Sequence, residues 1–198
     1  MTMEAFGEEN FGEEPLGLSN AGLPDVDAGP GWLAHADLMQ VRGKVPILYV
    51  EALPVRLEPD GRVSEVGLLL RGSPTTGQIT RSLVSGRVHH GESLREALMR
   101  HLEKDLGPSA FPSLPQSVVP VAVSEYFPWP GERFDLRQHA VALAYVVPVT
   151  GICEPRQDAL ELTWMSPMSA ASDQVADDLE GGRGALLRQL LHHLGALG

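Results

Sequence analysis

The sequence contains a single cysteine and no long uninterrupted run of apolar residues. One cysteine, Cys153, cannot form an intramolecular disulfide or a cysteine-cluster metal site, and it fits a reducing compartment. No apolar stretch approaches the roughly 18 residues of a membrane-spanning helix. Residues 1–14 carry acidic side chains where a signal peptide would carry positive charge. These absences predict a cytoplasmic chain with no membrane partner.

Basic residues are also scarce, because 15 Lys and Arg stand against 26 Asp and Glu, for a formal net charge of −11. A nucleic acid polymer or an anionic membrane surface would require a dense basic face, so the sequence predicts neither partner. Residues 1–30 contain seven acids and no Lys or Arg, which leaves 19 acids and 15 bases for residues 31–198. The first segment is rich in glycine and proline. We therefore expect an acidic, disordered tail at 1–30, with an acidic docking tail as the less favoured alternative, and a single domain at 31–198.

The pattern of apolar residues predicts several strands around one well-marked helix. Segments typical of strands lie at 45–55, 63–70, 79–84, 118–126, 140–149 and 160–165. Residues 93–106 change to helical spacing, with leucines at every fourth position on one face. Ser93 and Glu96 form a capping-box pattern at the start of this helix. A short helix near 32–41 and a closing helix in two pieces over 172–197 complete an α/β (α+β) class with a mixed sheet.

The segment 86–107 carries a recognisable motif, in which a glycine-bearing loop and a glutamate precede the capped helix and its terminal glycine. It resembles the Nudix hydrolase family, whose motif reads G, five residues, E, seven residues, then R-E-U-x-E-E-x-G-U, with U aliphatic. The matching residues are Gly86, Glu92, Arg100, Leu102 and Gly107. The resemblance covers about residues 45–197 and implies a Nudix-like mixed β-sheet sandwiched between helices. It also implies hydrolysis of a phosphoanhydride with the help of divalent metal ions.

The chain departs from this motif where the resemblance calls for three metal-binding glutamates, because it has His101, Lys104 and Asp105 there. Asp105 keeps a carboxylate that is one methylene shorter. His101 suits Mn²⁺ or Zn²⁺ and is a poor ligand for Mg²⁺. The ammonium group of Lys104 repels a divalent cation. The resemblance therefore implies Mg or Mn as the cofactor, weakly bound at Asp105 and His101, and no other cofactor.

The motif supplies candidate catalytic residues, and the strand and loops that flank the expected cleft supply further candidates for substrate binding. Asp105, Glu92 and Arg100 are the candidate catalytic residues, the last two with a structural role as well. The candidate substrate-binding residues are Arg87, Lys104, Arg81 and Trp129. The cations would bind phosphate, and the indole ring would stack on a base or a sugar. Packing of the loop around Trp129 onto the sheet is the alternative for that residue.

A second alternative concerns the acids that remain on the helix. On an ideal helix, Glu92, Glu96 and Glu103 share one face, whereas His101 and Asp105 lie near the apolar stripe. The shared face suits a relocated metal site. It also suits a plain solvated surface on which Glu96 pairs with the arginine four residues later, and this second interpretation is the more favoured.

Two functional hypotheses remain open. The first is a Nudix-like hydrolase of a small nucleoside-diphosphate-type (phosphoanhydride) molecule, with a divergent, weakened metal site and a general base outside the motif, at Asp158 or Glu161. The second is a catalytically inactive Nudix-fold module that binds a nucleotide-like ligand or a protein partner. In this second hypothesis Lys104 supplies the positive charge that a metal ion would have provided. The resemblance also implies a homodimer.

Overall fold

The computed structural model of this chain describes residues 31–73, 76–156 and 159–195. The predicted tail at 1–30, the last three residues of the predicted domain and Asp158 lie outside the described residues. In chain order the elements are α1 (His35–Arg42), β1 (Ile47–Leu57), β2 (Val63–Gly72), β3 (Ile79–Ser82), β4 (Val84–Arg87), α2 (Leu94–Leu106), β5 (Ala122–Tyr126), β6 (Ala140–Pro148), β7 (Ala159–Met165), α3 (Pro167–Ala170), α4 (Asp173–Asp177), a 3₁₀ turn (Glu180–Gly182) and α5 (Arg183–His193).

The strands form one mixed sheet of seven strands. Its order is β3-β2-β1-β6-β5, while β4 pairs with β1 and β7 pairs with β2. The central pair β1–β6 is parallel, from Ile47 opposite Ala140 to Val55 opposite Pro148. The other pairs are antiparallel. Because β1 and β6 are buried between their neighbours, they are the long apolar runs in the sequence.

Helices cover both faces of this sheet. The apolar face of α2 packs on one side, where Leu98, Leu102 and Leu106 join a cluster with strand residues such as Val50. Helix α5 packs on the other side, where its leucines contact a second cluster that contains Leu53. This arrangement confirms the predicted α/β (α+β) class, with a mixed sheet sandwiched between helices.

The structure divides one predicted strand. The segment predicted at 79–84 consists of β3, which pairs with β2, and the beginning of β4, which pairs with β1. The break falls at Leu83, whose side chain is fully buried in the cluster beneath α5. Since the chain changes partner strand at this point, a single run of strand-forming residues becomes two strands.

Across the residues described by the structure, no helix is long and apolar enough to cross a membrane.

Candidate functional site

A cleft of about 260 Å³ opens among the strands and helices of the fold. Its walls come from α2, from β2 to β4, from the segment 134–137 and from the start of α5. Among the described residues, seven cationic side chains line it against two carboxylates. The cations are Arg71, Arg81, Arg87, Arg100, Lys104, Arg137 and Arg183, and the carboxylates are those of Asp135 and Glu180. The charged side chains that line the cleft are therefore mostly cationic, although the chain as a whole is acidic.

Most of these arginines already have a carboxylate partner. The pairs, with their N···O distances, are Arg71–Asp105 at 3.0 Å, Arg81–Asp178 at 3.1 Å, Arg100–Glu92 at 2.7 Å, Arg137–Asp135 at 2.7 Å and Arg183–Glu51 at 2.8 Å. Lys104, in contrast, forms no ion pair with any residue that the structure describes. Its ammonium group is thus an uncompensated positive charge at the cleft wall.

The glutamate and the arginine of the motif hold the loop before α2 against the helix. Arg100 donates from Nε and Nη2 to the two carboxylate oxygens of Glu92, at 2.7 and 2.8 Å. Glu92 also accepts the backbone N–H of His89 at 2.9 Å. Burial alone would raise the pKa of Glu92, but the bonds from Arg100 and His89 hold it below its usual value. Both oxygens of Glu92 are therefore engaged in closing the loop.

Arg100 pairs with Glu92 and not with Glu96, the partner suggested by the helical spacing. Glu96 is engaged in the predicted capping box, where its carboxylate accepts the backbone N–H of Ser93 at 2.8 Å. In return, the Ser93 hydroxyl accepts the N–H of Glu96 at 3.2 Å. Arg100 instead reaches back to the loop, because its Nη2 also donates to the carbonyl oxygen of Arg87 at 2.9 Å.

His101 packs into the gap above the motif glycine. A Cβ built on Gly86 would come within 1.8 Å of the ring carbon Cε1 of His101. The ring nitrogen Nε2 lies 3.0 Å from the carbonyl oxygen of Arg87, and because a carbonyl only accepts, Nε2 must carry the proton. Burial, together with the charges of Arg100 and Lys104, lowers the pKa of His101 to about 4 despite this hydrogen bond. The imidazole is therefore neutral near pH 7.

Asp105 lies beneath the cleft. Its side chain is only 2 % exposed, and it accepts a hydrogen bond at 3.0 Å from Nη2 of Arg71 on β2. Within the described ranges, no group of three or more His, Cys, Asp or Glu side chains is placed to hold a metal ion. The available atoms explain this result, because Asp105 is paired with a cation, His101 points its proton at a carbonyl and Lys104 is itself a cation. This set of donors does not fit a divalent metal site.

Of the remaining predicted residues, two line the cleft and two do not. Arg81 and Arg87 line the cleft, and the guanidinium of Arg87 lies 5.3 Å from the ring centre of Trp32. Trp129 lies away from the lining residues and stacks on Phe127, with ring centres 5.1 Å apart. The alternative predicted for Trp129 was packing of its loop onto the sheet, whereas this contact is to a neighbour within the loop. Glu161 is exposed on β7 and does not line the cleft either.

Sequence reasoning missed three residues that shape the site, namely Arg71, Glu51 and Arg183. Arg71 lies 34 positions before its partner Asp105, and Arg183 lies 132 positions after its partner Glu51. One signal was available, because Glu51 is a single acid within the apolar run of β1. A carboxylate in such a strand needs a buried polar or cationic partner, so this acid predicts that a residue such as Arg183 packs against it.

Three comparisons with known proteins bear on this site. The model of the family described as "Domain of unknown function (DUF4916)" matches residues 28–196. A crystal structure from Jonesia denitrificans, named as that of a "possible asymmetric diadenosine tetraphosphate (Ap4A) hydrolase", is 51 % identical with a TM-score of 0.74. The similarity covers 78 % of this chain and 98 % of that one. No curated protein sequence matches this chain significantly.

More distant structures share the fold. The Nudix domain of NrtR from Shewanella oneidensis, crystallised with ADP-ribose, is 17 % identical with a TM-score of 0.54, over 82 % of this chain and 99 % of that one. The Ap4A hydrolase of C. elegans, in a binary complex, is 14 % identical with a TM-score of 0.54, over 76 % of this chain and 99 % of that one. At this level of identity the likeness concerns the path of the backbone alone.

Proposed function

Because this chain belongs to the Nudix family and to the DUF4916 domain family, we propose that it binds a small phosphoanhydride-linked nucleotide in the cationic cleft. In this proposal Lys104 and the neighbouring arginines contact the phosphates directly, and divalent metal ions are not required for binding. The protein is then a nucleotide-binding module in which the hydrolytic metal site is weakened or lost.

The observation that carries the proposal is the position of Lys104. It occupies a place where the family motif has a glutamate, it lines the cleft, and no described carboxylate neutralises it. A lysine ammonium is a point charge with three donors, which suits an oxygen atom of a phosphate group. A charge that would repel a metal ion thus favours the anion that the metal ion would otherwise have neutralised.

The other two replaced positions support the same function. Asp105 is held by Arg71, and His101 is neutral and bonded to the Arg87 carbonyl, so both are engaged within the protein. Activation of water by a metal ion needs free oxygen or nitrogen donors around that ion. Without those donors the cleft retains what binding needs, which is positive charge and shape, and lacks what hydrolysis needs.

A second candidate function is hydrolysis of a dinucleoside polyphosphate. The specific observation that favours it is the 51 % identity with the Jonesia denitrificans structure over 98 % of that chain. In this candidate, Asp105 would have to leave Arg71 and bind Mn²⁺ together with His101. ADP-ribose and Ap4A, the compounds in the names of the similar structures, are therefore the first ligands to offer.

The binding test uses isothermal titration of the full chain with ADP-ribose and with Ap4A, first in EDTA and then with Mg²⁺ or Mn²⁺. We expect binding in EDTA, and affinity about 10- to 100-fold weaker in Lys104→Met, because one charge-assisted hydrogen bond is lost. Lys104→Glu should weaken it further. The same change at the only other lysine, Lys44→Glu, is the matched control, because Lys44 is exposed and does not line the cleft.

Turnover separates the two candidates. Metal-dependent hydrolysis of either compound that disappears in Asp105→Asn would establish the enzyme and contradict the proposed binding module. Binding in EDTA without turnover would establish the module. If neither compound binds the parent protein under any of these conditions, the proposed ligand class is wrong.

A further inference from the structure

Glu51 is a fully buried carboxylate in the middle of the sheet. It lies on β1, flanked by the apolar residues Val50 and Ala52, with no solvent exposure. Its Oε1 accepts a hydrogen bond from Nε of Arg183 at 2.8 Å, and its Oε2 accepts one from the Tyr126 hydroxyl at 3.3 Å. Both carboxylate oxygens are therefore occupied by residues from other elements, namely α5 and β5.

Arg183 is fixed from three directions. Glu51 holds its Nε, the ring of Tyr126 lies 4.2 Å from its guanidinium carbon, and its Nη1 donates to the carbonyl of Glu180 at 3.3 Å. Burial would lower the pKa of Arg183, but the charge of Glu51 raises it, so the guanidinium stays charged. The third nitrogen, Nη2, donates to no described residue and is not among the buried atoms that lack a partner.

The side chain also belongs to the cleft. Arg183 lines its wall at the start of α5, and 14 % of its side chain is exposed. A buried ion pair is seldom the most stable choice, because apolar residues of similar volume are often equally or more stabilising. The Glu51–Arg183 pair instead suits a role in which the guanidinium is held in a fixed orientation at the cleft.

We infer that Arg183 is a ligand-contacting residue whose Nη2 binds a second phosphate group, and that Glu51 and Tyr126 are its positioning residues. This inference rests on the proposed function. Lys104 projects from α2 on one face of the sheet, and Arg183 projects from α5 on the other. Because the two cations enter the cleft from opposite layers, they suit a ligand with two linked phosphates, each held by one of them.

The first test is Arg183→Lys, with ADP-ribose as the titrated ligand. A lysine keeps a positive charge beside Glu51, so the fold is retained, but a single ammonium cannot both pair with Glu51 and reach the cleft. We expect affinity about 10- to 100-fold weaker. Arg188→Lys is the matched control on the same helix, because Arg188 is paired with Asp173 and does not line the cleft. Unchanged affinity in Arg183→Lys would overturn the inference.

A second variant removes both charges of the Glu51–Arg183 pair, so that a buried unpaired charge cannot explain a loss of binding. Glu51→Gln combined with Arg183→Met leaves neither an unpaired carboxylate nor an unpaired guanidinium. We expect this pair of changes to leave a cooperative thermal transition, with the affinity for ADP-ribose still lost to the same degree. A folded double variant that binds ADP-ribose like the parent would show that the two residues only neutralise each other.

A double-mutant cycle tests whether the two phosphates are separate. When Lys104→Met and Arg183→Lys act on different groups of the ligand, their fold losses multiply in the combined variant. A combined loss no larger than the greater single loss would mean that both contact one phosphate, and the two-phosphate assignment would be wrong. Failure of the parent to bind would instead contradict the proposed function, so the two failures are distinguishable.

Discussion

The two halves of the motif around α2 differ in how well their residues match the family motif. The first half, with Gly86, Glu92 and Arg100, keeps the residues of the family and uses them to fasten the loop to the helix. The second half has His101 and Asp105 where the family motif has glutamates, and both side chains are buried and hydrogen-bonded within the protein. In this chain, both halves of the strand–loop–helix unit are held by contacts to other residues of the protein.

The contacts of the second half explain how the unit remains ordered. In a carboxylate cluster the negative charges are balanced by a cation from solution, whereas here Arg71 on β2 balances Asp105 from within the chain. The carbonyl of Arg87 accepts from both Arg100 and His101, at 2.9 and 3.0 Å, so the loop is fixed from both halves at one atom. Contacts within the chain thus hold the loop and the helix together.

Removal of the buried carboxylate should have the largest effect. Asp105→Ala leaves the guanidinium of Arg71 without its partner in a nearly buried position, which costs about 3–5 kcal/mol in the free energy of unfolding. Asp173→Ala removes the same group from a surface pair, where the aspartate is 92 % exposed, and should cost under about 1 kcal/mol. Urea unfolding of the two variants measures the contrast. Equal costs would mean that the Arg71–Asp105 pair does not stabilise the second half.

Acid should lower the free energy of unfolding through His101, which lies in the second half of the motif. Its pKa is about 4 in the folded protein against an ordinary value of 6.5, so the unfolded chain takes up a proton that the folded one does not. The stabilisation is complete above pH 6.5 and is lost as the pH falls towards 4, with a maximum of about 3 kcal/mol. We expect the free energy of unfolding of His101→Gln to depend less on pH between 6.5 and 4 than that of the parent. The exposed His192→Gln should retain the slope of the parent, and identical slopes in all three proteins would contradict the assignment.

Restoring acids to the second half should recover metal binding. His101→Glu and Lys104→Glu, combined with Arg71→Gln to release Asp105, would place three carboxylates on one side of α2. At a concentration of Mn²⁺ or Mg²⁺ one hundred times the dissociation constant, we expect stabilisation of about 2.7 kcal/mol in thermal unfolding. The variant that retains Arg71 is the control and should bind the metal ion more weakly. No response to metal in the triple variant would show that this helix face is not a metal position.

The smallest effect belongs to the helix cap in the first half. Ser93→Ala removes the side chain that accepts the N–H of Glu96, and loss of such a cap costs about 1 kcal/mol. The exposed Ser117→Ala should remain within about 0.5 kcal/mol of the parent. Chemical denaturation resolves this difference. If Ser93→Ala is as neutral as the control, the cap does not contribute to the order of the first half.

The sequence predicted the parts of the fold that local patterns determine. Apolar spacing and the Ser93–Glu96 pattern located α2, and the resemblance anticipated a mixed sheet between helices. The same helical spacing indicated that His101 and Asp105 would lie near the apolar stripe, and their exposed fractions are 5 % and 2 %. These features depend on neighbours within a few positions along the chain.

The partners of these residues could not be predicted, because they come from distant segments. Nothing near Asp105 in the sequence points to Arg71, and the cleft charge arises only when β2, β3, α2 and α5 meet. Arg100 illustrates the same limit at short range. Helical spacing suggested Glu96, whereas the loop folds back so that Glu92 is nearer. Pairing in this site is therefore a property of the tertiary structure.

The close approach of His101 to Gly86 constrains the order in which substitutions can accumulate. With the imidazole in place, any side chain at position 86 would collide with it, because even a Cβ would lie 1.8 Å from Cε1. A change at Gly86 is thus admissible only after position 101 has become smaller or has moved. Positions 86 and 101 therefore limit each other sterically, and the imidazole in this chain requires glycine at position 86.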